Sequence, residues 1–240
     1  MSEPFIVRGM PFLDMPAATK AGVRDTFERI AQPFAASREE PWPEVLAFGT
    51  SLPAAARILD VGCGNGRHAR ALAASGHQVI AVDFAHSLLV IGRRGSRGRL
   101  WGQNVAWVEG DASALPLRGR SVDACICVAV LHHLPSAEER VRTLQEIRRI
   151  LVVGGRLFVS VWALDQPRFR RLVEARAHLP KDLWGDVEVP WTMPDGVVIP
   201  RYYHLFREDE LKETIIESGL HGERYFRGPG NLFGEATNHG

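Results

Sequence analysis

The chain has 240 residues, 45% hydrophobic and 24% charged, enough for one large α/β domain with a sizeable core. Lys plus Arg total 29 against 28 for Asp plus Glu, a net charge of +1. That balance excludes polybasic nucleic-acid binding by bulk electrostatics, though not a local basic face. Cys63, Cys125 and Cys127 are too few for a disulfide framework or a four-cysteine zinc site and point to a reducing compartment. The first residues show no signal-peptide pattern, and no apolar run approaches the ~20 residues of a membrane span. The expected location is the cytoplasm, with the nucleus added if the source is eukaryotic.

Residues 1–20 read as an irregular, Pro-rich arm, the beginning of a helical lead-in over 1–50. Val23, Phe27, Ile30, Ala31 and Phe34 recur at helical spacing. Trp42-Pro43 opens a second short helix. Arg57–Val61 is a buried strand followed by a Gly-rich turn, a helix from Arg67 to Ser75 and a stop at Gly76. A strand at Gln78–Val82, a helix near His86–Arg94, and strands at Val105–Val108 and Val122–Val128 follow. Ser136 to Ile150 is an amphipathic helix with Ser136 as cap and Glu139 completing a capping box. Gly154-Gly155 is expected to end it before a strand at Arg156–Trp162.

Alternating strands and helices predict a parallel sheet of an α/β fold with helices on both faces. Residues 163–200, rich in Pro, break the rhythm as a lid or insert. The core is placed at 54–162, and 201–232 forms C-terminal substrate-side strands and a helix (Glu208–Glu217, stopped by Gly219). Gly234 to Gly240 reads as polar and frayed. All of this is taken as one domain spanning 1–240.

The segment Leu59-Asp60-Val61-Gly62-Cys63-Gly64-Asn65-Gly66-Arg67 puts three glycines between a strand and a helix amino end. They allow a ligand close to the backbone where amides point outward. The spacing is G-x-G-x-G rather than the dinucleotide G-x-G-x-x-G, and Asp60 suits a ligand with an ammonium group. Asp83, about 20 residues on, is where ribose hydroxyls are read. Gly110-Asp111-Ala112 is placed for an adenine edge.

That constellation resembles the class I S-adenosylmethionine (SAM) methyltransferases, which implies their α/β Rossmann-like fold, a mostly parallel seven-stranded sheet with helices on both faces, and SAM as cofactor. Further segments are Arg38-Glu39-Glu40-Pro41-Trp42-Pro43, Leu131-His132-His133, Val161-Trp162-Ala163-Leu164-Asp165-Gln166, Val189-Pro190-Trp191 and Arg201-Tyr202-Tyr203-His204. They are similar to the tRNA carboxymethyluridine methyltransferases, including the methyltransferase domain of AlkB-related tRNA enzymes, over residues 20 to 231. Leu232 stands where those relatives carry Trp, and Glu39 and Glu40 where they carry polar or basic residues.

The resemblance implies methyl transfer to the carboxylate of 5-carboxymethyluridine in the tRNA anticodon loop. It also implies a small zinc-binding activator as heterodimer partner. A small-molecule methyltransferase of the same fold is the alternative. A carboxylate acceptor needs no general base, only alignment and a clamp. The expected clamp is Arg38, His133 and Arg201. Trp162, Tyr202, Tyr203 and His204 are expected at the substrate base. Asp60, Gly62, Cys63, Gly64, Asn65, Gly66, Asp83, Phe84, Asp111, Ala112 and Val128 are expected at the cofactor, with no metal. Cys125 and Cys127 read as inert core thiols. Two basic runs, Arg93-Arg94-Arg97-Arg99 and Arg168-Arg170-Arg171-Arg176, are expected to meet tRNA phosphates.

Overall fold

A computed structural model describes residues 18–176, 178 and 184–240 of the chain. The N-terminal arm expected at 1–20 lies outside them but for its last three residues. Nine strands and seven α-helices are assigned among the described residues. Seven strands form one sheet in the order β3-β2-β1-β4-β5-β9-β8. β1 (Arg57–Val61), β2 (Gln78–Asp83), β3 (Val105–Glu109), β4 (Val122–Val128) and β5 (Leu151–Trp162) run parallel. β8 (His221–Gly228) and β9 (Asn231–Thr237) close one side antiparallel. β6 (Asp186–Thr192) and β7 (Val198–His204) form a separate two-stranded sheet.

The helices sort onto the two faces by their apolar stripes. α2 (Pro43–Thr50), α3 (Arg67–Ala74) and α4 (His86–Ser96) cover one face, burying Phe48, Leu72 and Leu89 with Ile58 and Phe158. α5 (Ala137–Ile150) and α7 (Glu208–Glu217) cover the other, burying Leu144, Ile147, Leu211 and Ile215. α1 (Lys20–Ala36) packs Val23, Phe27 and Ile30 with Leu88 of α4 and Ile199 of β7, roofing the carboxyl ends of the strands. The strand order reverses between β1 and β4, which opens a crevice at those ends.

Several local expectations are corrected. α5 ends at Ile150 and β5 begins at once at Leu151, so Gly154-Gly155 lies inside the strand. The register shifts between Val122 and Ala124 opposite this stretch, and Gly154 takes φ +77° there, which favours glycine. Ser136 caps α5 by accepting from the Glu139 amide, but the Glu139 carboxylate lies 3.5 Å from Lys20 instead of closing the box.

The expected insert contains a short helix, α6 (Arg170–Arg176), and β6. The tail is not frayed: β9 runs through Thr237 between β5 and β8. Buried Asn238 then donates from its side chain to the carbonyls of Arg148, Leu151 and Val152. Small residues are needed in β9: a Cβ on Gly234 would meet Ile215 at 2.9 Å. β8, with Glu223, Arg224 and Arg227, carries charge suited to a sheet edge and escaped the apolar pattern.

Candidate active site

The crevice is a cavity of about 400 Å³ walled by the loops after β1, β2, β3 and β4 and roofed by α1. Gly62 and Gly64 line it with left-handed φ of +65° and +56°. A Cβ on Gly62 would collide with Val130, so glycine is required by both backbone and space. Gly66, also left-handed, does not line the cavity; the Trp107 ring packs where its side chain would be. Cys63 lines the wall with a thiol pushed up by burial, which leaves it unreactive.

Asp83 braces the loop that it faces. Its Oδ2 accepts from the Gly64 amide at 2.7 Å and its Oδ1 from the Ala85 amide at 2.8 Å. Burial foremost raises its pKa to about 6. Each carboxylate oxygen keeps a second lone pair, so two vicinal hydroxyls can still be received.

Asp60 sits beneath the loop, 1% exposed and off the cavity wall, with Oδ2 lacking any partner. Burial first, then the charge of Asp83, pushes it up to about 8. An orphaned acid under a glycine loop is a place where a cationic ligand would relieve the charge imbalance. Asn65 lines the cavity, but its amide nitrogen donates to the carbonyls of Ala35 and Arg38, fixing the chain that carries Arg38.

Phe84, Ala112, Val128 and Asp111 all line the cavity. Asp111 accepts from Lys20 Nζ at 2.7 Å and from Ser113, ties that lower its pKa despite the opposing effect of burial. Lys20 of α1 lines the wall without having been singled out in the sequence, and Phe27 and Phe34 are wall residues that their spacing marked only as packing. Their signal was the helical stripe, which does not say what it covers. Ala129 is held at φ +59° by its amide donating to the Ser160 carbonyl and hydroxyl, a strained turn at the mouth of the site.

The opposite wall is aromatic and basic. Trp162 stacks on Tyr203 at 4.3 Å and 25°, and Tyr203 on His132 at 5.1 Å and 23°. Arg168 lies over the Trp162 ring at 4.5 Å, and Arg201 donates to the Tyr203 hydroxyl at 2.9 Å. Arg38, Trp162, Tyr203 and His133 line the cavity, whereas Arg201 stands behind Tyr203.

Tyr202 and His204 are placed elsewhere, because alternate residues of β7 point to opposite sides. The Tyr202 hydroxyl donates to Asp186 and Pro135. Both ring nitrogens of buried His204 are taken, by Asp186 at 2.7 Å and Glu210 at 2.5 Å. His133 is driven down to about 3 by burial, so it is neutral, and its Nδ1 donates to the Tyr202 carbonyl at 3.2 Å. Its Nε2 is therefore an acceptor, which is not a cationic clamp. His132 is the reverse: Nδ1 accepts the Trp162 amide at 3.1 Å, leaving Nε2 as donor.

The two basic runs part company. Arg93, Arg94, Arg97 and Arg99 sit at and beyond the carboxyl end of α4, at the far end of the helix from Asp83 and the cavity. Arg168, Arg170 and Arg171 follow β5 at the cavity end. The Arg176 side chain lies outside what is described.

Residues 59–159 match a methyltransferase domain family. The chain is 39% identical over 145 residues to tRNA (carboxymethyluridine(34)-5-O)-methyltransferase ALKBH8 of Macaca fascicularis, a match covering 60% of this chain and 20% of that protein. It is 28% identical over 216 residues to tRNA (carboxymethyluridine(34)-5-O)-methyltransferase of Schizosaccharomyces pombe, covering 82% and 87%. The chain thus spans about a fifth of the first relative's length and most of the second's.

Among solved structures, a SAM-dependent methyltransferase of Methanosarcina mazei superposes with a TM-score of 0.69 at 20% identity, over 83% of this chain and 98% of that one. A Burkholderia thailandensis 1,6-didemethyltoxoflavin N1-methyltransferase bound to S-adenosylhomocysteine gives 0.67 at 23%, covering 95% and 94%. A methyltransferase in complex with the Haloferax volcanii Trm112 activator gives 0.64 at 18%, covering 90% and 97%. The orphaned Asp60, the open glycine loop and the spare lone pairs of Asp83 fit a sulfonium nucleoside carrying an amino acid. Strand order and these likenesses give the chain the fold of those SAM-dependent methyltransferases, with residues 59–159 matching the methyltransferase domain family.

Proposed function

We propose that this protein methylates the carboxylate of 5-carboxymethyluridine at the tRNA wobble position, giving the methyl ester. The observation that carries the reading is the group of Arg38, Arg168 and Arg201 around Tyr203 and Trp162. All three bear on the Tyr203 hydroxyl electrostatically, and none has a carboxylate partner among the described residues. Uncompensated guanidinium groups beside a cavity favour an anionic guest, and a carboxylate is the group they match best.

SAM supplies an activated methyl group when bound. Gly62, Gly64 and Asp83 would hold it, with Asp83 receiving the ribose hydroxyls. The chain's remaining work is alignment: the acceptor carboxylate is already ionised, so no base removes a proton. Arg201, acting through Tyr203, and Arg38 orient its oxygens. The α1 roof, with Phe27 and Phe34, excludes water. His132 and His133, which also line the cavity, add a fixed donor and a fixed acceptor beside Tyr203, the complement of a carbonyl next to an N–H. Arg168, Arg170 and Arg171 face the phosphates of an anticodon loop.

A small activator adding to the sheet belongs to the same proposal. β3 is the edge that suits it, with Leu100 91% exposed just before it, whereas β8 is charged. The test is incubation of the protein, alone and with a candidate activator, with methyl-labelled SAM and tRNA bearing 5-carboxymethyluridine. Label released as methanol by mild alkali supports an ester; alkali-stable label, or none with either preparation, refutes it.

A further inference from the structure

Arg67 is the first residue of α3, directly after the glycine loop, and it lines the same cavity. Its guanidinium lies over the Trp42 ring at 5.3 Å, and Nη1 donates to the Glu40 carbonyl at 3.2 Å. No carboxylate pairs with it among the described residues. Burial, and the like charge of Arg38, bring it down to about 10, with the charge of Asp60 opposing them. Next to it, His68 is 5% exposed, lines the cavity and has an Nε2 with no partner. This lobe sets two polar side chains, Arg67 without a carboxylate partner and His68 with an unpartnered Nε2, at the positive end of a helix.

The acceptor wall does not account for the lobe. Arg201, Tyr203 and Trp162 belong to β7 and β5, whereas Arg67 and His68 belong to the loop and helix that follow β1. Asp83 marks the ribose position, and the glycine loop leads from there to α3. Gly62, Gly64, Asp83 and Arg67 line one cavity, so a ligand with its ribose on Asp83 can extend along the loop toward Arg67. A guanidinium there suits a carboxylate rather than an ammonium.

We propose that Arg67, with His68 beside it, anchors the amino-acid carboxylate of the SAM cofactor. The proposal rests on the methyltransferase reading and adds a residue that the loop motif does not specify.

The test is equilibrium binding of three ligands, measured by calorimetry with no acceptor present: SAM, decarboxylated SAM and 5′-methylthioadenosine. Wild-type protein binds SAM about tenfold or more tighter than decarboxylated SAM, the worth of a charge-assisted hydrogen bond. Arg67→Ala removes that preference and leaves methylthioadenosine binding within about twofold, which also shows that the variant is folded. Arg67→Lys, retaining charge without the fork, restores part of the preference. Persistence of the full preference in Arg67→Ala overturns the proposal. Failure of wild-type protein to bind any of the three removes the methyltransferase reading, and the anchor with it.

Discussion

Arg201 donates through Nη1 to the Tyr203 hydroxyl at 2.9 Å, while the Nε of the same guanidinium is buried with no partner among the described residues. The guanidinium also lies over the Trp191 ring at 4.9 Å, and no carboxylate pairs with it among the described residues. The pair therefore reads as a wall prepared for an anion: Tyr203 faces the cavity and Arg201 polarises it from behind.

Tyr203→Phe keeps the stack on Trp162 and removes only the hydroxyl. Acceptor kcat/KM is expected to fall about tenfold, with SAM affinity unchanged. Arg38→Ala is expected to spare SAM binding while cutting methyl transfer. Steady-state kinetics beside calorimetric SAM titration checks both, and a loss of SAM affinity in Arg38→Ala would take that residue out of the acceptor clamp.

Asp83 braces Gly64 through its amide, and on the proposed reading it also receives the ribose. Asp83→Ala is expected to weaken SAM binding by two orders of magnitude or more, roughly two charge-assisted hydrogen bonds. Because its pKa is raised to about 6, protonation disables the wild-type carboxylate as pH falls through that value. SAM affinity should drop between pH 7 and 5, and a flat profile would contradict the assignment.

Asp60 tests the charge beneath the loop. Its folded pKa of about 8 lies above the value of an unfolded aspartate, so ionisation is penalised in the fold. Stability is then full below about pH 4 and lost as pH rises toward 8. Asp60→Asn escapes this loss, and should gain on wild type by on the order of 3 kcal/mol at pH 8 but little at pH 4. Thermal unfolding of the SAM-free proteins at both pH values measures it. A gap that does not widen with pH would contradict the raised pKa.

Much of the fold was legible because its signals are local. The parallel strands are near-continuous apolar runs, and the three glycines announce a backbone that approaches a ligand. β8 and the tail were not, since β8 is charged and Gly234 in β9 is set by the closeness of Ile215, a contact distant in sequence. The site divides the same way. Asp83 and Gly62 follow from a motif, whereas Lys20 and Phe27 reach the cavity only because α1 folds over it. Tyr202, Tyr203 and His204 are adjacent in sequence, but strand alternation puts only Tyr203 on the cavity wall.

His204 supplies a structural prediction. Bonds to Asp186 and Glu210 raise its pKa although burial opposes them. The stability it contributes is full below the unfolded value near 6.5 and lost as pH rises through the raised folded one. His204→Gln should cost roughly 3 kcal/mol at pH 6, with a smaller deficit at alkaline pH. Chemical denaturation at both pH values checks this, and an equal deficit at each would show that the ring acts by shape alone.

The most direct test of the central claim is nucleoside mass spectrometry of tRNA from a host lacking this gene. Accumulation of 5-carboxymethyluridine and loss of its methyl ester are expected, both reversed by the wild-type gene and not by Asp83→Ala. An unchanged wobble-uridine profile would contradict it.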